Sequence, residues 1–164
     1  MTHTEATAPA ALGFWHLGIT VTDVHRSLSF YRDLVGMRLE QLKDHESRDF
    51  DRLSANSGTA VRVAWLSDGP LIMQLIQYLR GGADEVPLRL EHRRVGSPHL
   101  SFFVADVDAT FAKFAERADV RTLTDAPVPM GPHARSFYAL DPDGLPVEFW
   151  QWTEPSMAAL RITP

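Results

Sequence analysis

"WHLGITVTDVHRSLSFY" (residues 15–31) is answered 83 residues later by "PHLSFFVADVDATFAKF" (residues 98–114). Laid over one another, the two stretches share His16/His99, Leu17/Leu100, Val21/Val104, Asp23/Asp106 and Val24/Val107, with apolar residues together at Leu28/Phe111 and Tyr31/Phe114. Leu17, Ile19 and Val21 alternate with His16, Gly18 and Thr20, the period of a strand with one apolar face; Leu100, Phe102 and Val104 repeat it opposite His99, Ser101 and Phe103. Each strand thus turns its histidine away from its aliphatic face. Thr22-Asp23 and Ala105-Asp106 then supply N-cap chemistry, and Val24, Leu28, Tyr31, Val35 in one half and Val107, Phe111, Phe114, Ala118 in the other fall at helical spacing. Gly36 reads as a helix stop.

A second match closes each half. "SDGPLIMQLIQY" (residues 67–78) and "PDGLPVEFWQW" (residues 142–152) set Gln74 over Glu148, Gln77 over Gln151 and Tyr78 over Trp152. Their offset of 74, against 83 for the histidines, makes the first half nine residues longer, and the charged stretch 43–58 is where the extra length belongs. Short strand-like runs fill the remainder: 38–42, 60–66 and 71–78, then 121–123, 136–140 and 147–152. The Asp and Gly residues of "SDGP" and "DPDG" introduce the last strand of each half. Each half therefore reads β-α-β-β-β. The expected fold is α+β: two tandem βαβββ modules with their sheets paired around a cleft. Residues 1–12 read as a flexible leader, 13–79 as the first module, 80–96 as a connector, 97–153 as the second module and 154–164 as a tail.

The chain has 164 residues, 45% of them hydrophobic, enough for one compact domain or two small halves sharing a core. Its net charge of −5 and lack of a long basic run argue against a nucleic-acid partner; "RLEHRR" (residues 89–94) is short and reads as a solvated loop. The absence of cysteine excludes disulfides, thiolate catalysis and thiolate zinc sites, and fits a cytoplasmic protein. No apolar run reaches the roughly 18 residues of a membrane span, and the first residues lack the basic start and apolar core of a signal peptide. The expected partner is a small-molecule substrate, with neither nucleic acid nor membrane.

Four residues at matched positions carry the chemistry: His16 and His99 on the first strands, Gln74 and Glu148 on the last. Brought to one point by a pseudo-twofold axis, they offer two imidazole nitrogens, an amide oxygen and a carboxylate oxygen, a donor set for one divalent ion such as Co, Ni, Mn, Zn or Fe.

The stretches "HLGITVTDVHRSLSFYRDLVGM", "GSPHLSFFVADVDA" and "DPDGLPVEFWQ" resemble the vicinal oxygen chelate superfamily, which includes glyoxalase I, methylmalonyl-CoA epimerase, extradiol dioxygenases and fosfomycin- and bleomycin-resistance proteins. The resemblance spans about residues 13–153. It implies the repeated βαβββ module, with His16, His99 and Glu148 at metal-ligand positions and Gln74 at the fourth. A His, Gln, His, Glu set is similar to the epimerase branch; many glyoxalase-like members carry Glu where Gln74 stands. The implied activity is a metal-dependent lyase, isomerase or epimerase reaction, in which a chelated substrate loses a carbon-bound proton to give an enediolate.

Glu148 is then the candidate base, since the amide of Gln74 has no useful basicity. His133, after the turn in "MGPHARSFY", is a second candidate acid/base with an ordinary pKa near 6.5. Methylmalonyl-CoA epimerases use a separate glutamate shortly before the third strand; Gly58 falls near that position, and Glu46, Asp49 or Asp51 of the longer loop are the acids available to replace it. Trp65, Tyr78, Phe103, Arg135 and Trp150 are the expected substrate-lining residues. His3, His25, His45 and His92 are assigned no chemistry. Two alternatives stand beside proton transfer: an Fe(II) dioxygenase using His16, His99 and Glu148 as a two-histidine, one-carboxylate triad on a catechol-like substrate, and a metal-free binding protein for a small molecule or antibiotic. A homodimer is expected, and whether the four donors come from one chain or two is open at this point.

Overall fold

Strand β1 (Leu17–Thr20) leads into helix α1 (Val24–Phe30), and the chain continues through β2 (Arg38–His45), α2 (Arg48–Ser54), β3 (Ala60–Asp68) and β4 (Leu71–Arg80). The second half follows the same path with a short extra strand in place of α2: β5 (Leu100–Phe103), α3 (Val107–Ala115), β6 (Arg121–Thr122), β7 (Val128–Pro129), β8 (Ala134–Leu140) and β9 (Pro146–Trp152). These elements come from a computed structural model that describes residues 11, 13–81 and 93–153. The rest of the leader, most of the connector and the tail, with His3 and His92 and the charged residues of 82–92, lie outside the described residues.

The repeat is reproduced in hydrogen bonds. Asp23 and Asp106 cap the two helices, accepting from the backbone N–H groups of His25 and Arg26 and of Asp108 and Ala109. The matched glutamines take the next free donor: Gln77 Oε1 accepts from Val24 N at 3.2 Å and Gln151 Oε1 from Val107 N at 3.0 Å. After the strands, Val21 N donates to Ile76 O and Val104 N to Trp150 O, both at 2.9 Å. The last turn of α1 widens into a π turn over Tyr31–Val35 and stops at Gly36, whose φ of 102° is left-handed and suits glycine.

The first sheet has the order β1-β4-β3-β2, and the second β5-β9-β8-β6 with β7 also pairing β8. In both, the first strand runs parallel to the last, with Gly18 opposite Gln74 and Ser101 opposite Glu148. The longer first half is explained by β2 running on to His45 and by α2, whose cap is Ser47 accepting from Phe50 N at 3.0 Å. That helix was not anticipated, because the charged stretch 43–58 offers too little apolar periodicity; it buries none of its residues.

One core serves both halves. Ala64, Leu66, Met73 and Leu75 of the first sheet and Phe102, Phe137, Ala139, Val147 and Phe149 of the second belong to a single buried cluster with residues of α1 and α3. The helices join the halves: Phe114 of α3 stands 5.7 Å from Phe30 of α1 and 4.5 Å from Phe149, ring centre to ring centre. Polar ties run alongside. Lys113 Nζ donates to Leu34 O at 2.8 Å, Tyr31 OH to Asp141 Oδ2 at 2.9 Å, and Arg26 pairs with Asp143 at 2.8 Å. Burial, and then the charge of Asp141, hold the Tyr31 hydroxyl well above its ordinary pKa of 10.

Candidate functional site

Strand alternation sends the residues between these core positions to the opposite face of each sheet. On the second sheet that face carries Ser136 and Tyr138 of β8, Glu148 and Trp150 of β9, and Ser101 of β5. Glu148 is only 7% exposed, so its carboxylate needs partners. Ser101 Oγ donates to Oε2 at 2.8 Å, Ser136 Oγ donates to Oε1 at 2.9 Å, and Tyr138 also hydrogen-bonds the carboxylate. His99 Nε2 lies 4.0 Å from Oε2, with the ring 5.7 Å from that of Tyr138. Burial first, then the negative charge and hydrogen bond of Glu148, push the Tyr138 hydroxyl up to about 12. It is a hydrogen-bond donor at any ordinary pH.

The first sheet carries the same plan with different side chains. Trp65 stands opposite Gln74 on β3 as Tyr138 stands opposite Glu148 on β8. The Trp65 ring is 5.8 Å from His16, which also meets Trp15 at 6.1 Å. Gly18 takes the place of Ser101; a Cβ there would meet only Ile76 Cδ1, at 3.6 Å. The hydroxyls around Glu148 therefore have no counterparts around Gln74. His16 Nδ1 is buried and has no hydrogen-bond partner among the described residues.

His99 and Glu148 form one donor pair, and His16 and Gln74 hold the matching positions of the first half. The pairs do not merge: among the described residues no three His, Cys, Asp or Glu side chains form a group able to hold a metal ion. Of the four expected donors, His99 and Glu148 are the two that the structure brings together. A cavity of about 270 Å3 between the halves is lined by Met37, Asp68, Phe103, Lys113 and Phe149 among others, and holds none of the four donors.

Several expectations are corrected by this placement. Arg135 lies on the helix-facing side of β8 and pairs with Asp108 at the start of α3, so it does not line the Glu148 face. His133 sits at the far end of the β8/β9 ladder, where its carbonyl accepts from Thr153 N at 2.8 Å. Five residues of strand separate Thr153 from Glu148, about 16 Å at the usual rise, so His133 is no acid/base partner of Glu148 within one chain. The loop acids are engaged locally: Glu46 with Arg80, Asp49 with Arg52, and Asp51 with Thr59 and the N–H of Gly58. Trp65 and Trp150 do share the donor faces, and Tyr78, on the Gln74 face of β4, is met by Phe50 of α2 with ring centres 6.5 Å apart. Phe103 is 53% exposed at the end of β5. Ser101, Ser136 and Tyr138 were missed, because only the pairing of β5 and β8 with β9 brings them to Glu148.

Two βαβββ modules with register-matched donor pairs define a protein of the glyoxalase fold. The sequence matches the Glyoxalase/Bleomycin resistance protein/Dioxygenase superfamily over residues 13–149, and the chain belongs to it. It is 30% identical over 140 residues to the uncharacterized protein YaeR of Escherichia coli (strain K12), covering 83% of this chain and 93% of that one. It is 28% identical over 130 residues to a 2-epi-5-epi-valiolone epimerase of Actinomyces sp, covering 73% of this chain and 70% of that one. A glyoxalase family protein from Bacillus cereus superposes with a TM-score of 0.79 at 18% identity, over 91% of this chain and 99% of that one. Members of the superfamily typically bind a divalent metal ion. No helix among the described residues is long and apolar enough to cross a membrane.

Proposed function

We propose that the protein is a divalent-metal-dependent enzyme of proton transfer, an isomerase, epimerase or lyase, acting on a small substrate with two adjacent oxygens. The observation that carries this reading is Glu148: a buried carboxylate oriented by hydroxyls and placed beside His99. A carboxylate offers about four lone-pair positions, and Ser101, Ser136 and Tyr138 occupy three, which leaves about one direction for a metal ion or a substrate proton. When bound, a divalent ion would act as a Lewis acid on the substrate's vicinal oxygens. Glu148, with its orientation set by the hydroxyls, takes a proton from the carbon next to the carbonyl and returns it. Trp150 and the ring of Tyr138, which share the Glu148 face, supply apolar walls that keep water from the carbanion. The epimerase relative makes epimerisation the first reaction to test.

The test is solvent deuterium exchange, followed by NMR, over a panel headed by the ketone named for that relative and extended to dicarbonyl adducts and acyl-CoA thioesters. Protein reloaded with Co, Ni, Mn or Zn is expected to wash deuterium into the carbon beside the carbonyl, and Glu148→Gln to lower the rate by about a thousandfold. No exchange on any substrate, or oxygen consumption dependent on ferrous iron, overturns the reading.

A further inference from the structure

We propose that the cavity between the halves is a binding site for a small zwitterion with an apolar body, the chemistry of a free apolar α-amino acid. The repeat creates two matched junctions between the halves, and one of them is closed. Where the end of β8 meets α1, Asp141 accepts from Tyr31 OH at 2.9 Å and from the N–H groups of Leu145 and Asp143. Asp143 in turn accepts from Thr22 N at 3.0 Å and pairs with Arg26. The other junction lies where the end of β3 meets α3. Asp68 follows Trp65 by three residues as Asp141 follows Tyr138, and Trp65 and Tyr138 hold the same ladder position. Phe114, however, stands where Tyr31 stands in the first half, and Ala105 and Ala109 stand where Thr22 and Arg26 do. The turn is also shorter, residues 69–70 in place of 141–145, and brings no second carboxylate. The Asp68 carboxylate is left without a hydrogen-bond or ion-pair partner among the described residues.

This open junction is the cavity of about 270 Å3, and Asp68, Lys113 and Phe114 all line it. One N–H of the Lys113 ammonium donates to the Leu34 carbonyl, so two of its three donors remain. The floor between the two charges is apolar: Met37, Phe102, Phe114 and Phe149 are buried there. A few placed polar groups over an apolar floor is how small-molecule sites are built. At ~30 Å3 per water the space equals about nine water molecules, which suits a ligand of about nine or ten non-hydrogen atoms. Leucine, isoleucine and methionine are of that size. The ligand ammonium takes the part of the Tyr31 hydroxyl and donates to Asp68, while its carboxylate accepts from Lys113. Its side chain displaces water from the phenylalanine rings. A plain anion meets the charge of Asp68 and a plain cation that of Lys113, so the pair selects a molecule that carries both signs. Phe102 and Phe149 lie on the core side of β5 and β9. The site is therefore across the second sheet from Glu148 and does not depend on a metal ion.

The test is calorimetric titration of the whole chain with L-leucine, L-isoleucine and L-methionine, of which at least one is expected to bind saturably, one molecule per chain. Isocaproate, which lacks the ammonium of leucine, and leucinamide, which lacks the carboxylate, should each bind about tenfold or more weakly. Asp68→Asn should weaken the amino acid by a similar factor. Phe114→Tyr sets on α3 the hydroxyl that Tyr31 carries on α1, so it should fill the space, weaken binding about tenfold or more and raise the thermal midpoint. A gain in stability separates its loss of binding from a loss of fold. Glu148→Gln should leave the affinity unchanged. The site is overturned by no saturable binding of any of the three amino acids, or by equal binding of the two truncated analogues. Affinity that falls in Glu148→Gln but not in Asp68→Asn or Phe114→Tyr also overturns it, by placing the ligand on the other face of the sheet.

Discussion

Tyr138 meets both members of the donor pair in its half, the His99 ring at 5.7 Å and the Glu148 carboxylate through its hydroxyl. Replacing it by Phe keeps the ring and removes the hydrogen bond. A bond to a charged group contributes about 1.5 kcal/mol, so Tyr138→Phe is expected to lower kcat for exchange about tenfold while the thermal midpoint moves by only a few degrees. An unchanged kcat would mean that the hydroxyl does not orient Glu148. The four donors could be picked out in the sequence because they repeat at two fixed offsets. The hydroxyls could not: Ser101, Ser136 and Tyr138 are single residues of common types, and only the pairing of β8 and β5 with β9 shows that they converge. Arg135 and His133 mislead for the related reason that a side chain's face, and its distance along a ladder, follow from register.

At the level of elements, the same capping scheme is used twice. An aspartate holds the second and third N–H groups of each helix and a glutamine from the last strand holds the first. Gln151 also donates to the Ala105 carbonyl at 2.8 Å, so it ties β9 to the turn before α3. Gln151→Leu should therefore cost about 1–2 kcal/mol in urea unfolding, more than Asp108→Ala on the exposed first turn. Equal losses would show that the strand-to-helix tie adds nothing. These elements were legible in detail, because alternation, N-cap chemistry and the Asp-Gly turns all agree. The helix α2 was hidden: its apolar residues are too few to set a period, and Leu53 is 86% exposed.

How the halves meet across the whole molecule was not legible, since alternation says which face of a sheet is apolar and leaves open what covers it. Tyr31 and Asp141 report on that junction. In the unfolded chain a tyrosine ionises near pH 10, whereas in the fold burial keeps Tyr31 protonated well beyond that. The folded state then holds a proton that the unfolded state releases, so the contribution is full below pH 10 and declines as pH rises above it. Wild type should lose more stability than Tyr31→Phe between pH 9 and pH 10.5 in urea titrations; parallel losses would remove Tyr31 as the cause. At neutral pH the variant should be about 1–3 kcal/mol less stable. Gly18 carries a consequence of another kind. With only Ile76 Cδ1 near its missing Cβ, the position has room for the serine found at Ser101. Grafting Gly18→Ser together with Gln74→Glu would give the first half a serine and a carboxylate at the positions where the second half has Ser101 and Glu148. Such a protein should bind a divalent ion about tenfold or more tightly in a metal titration, because a carboxylate at position 74 would bring a negative charge where the amide brings none.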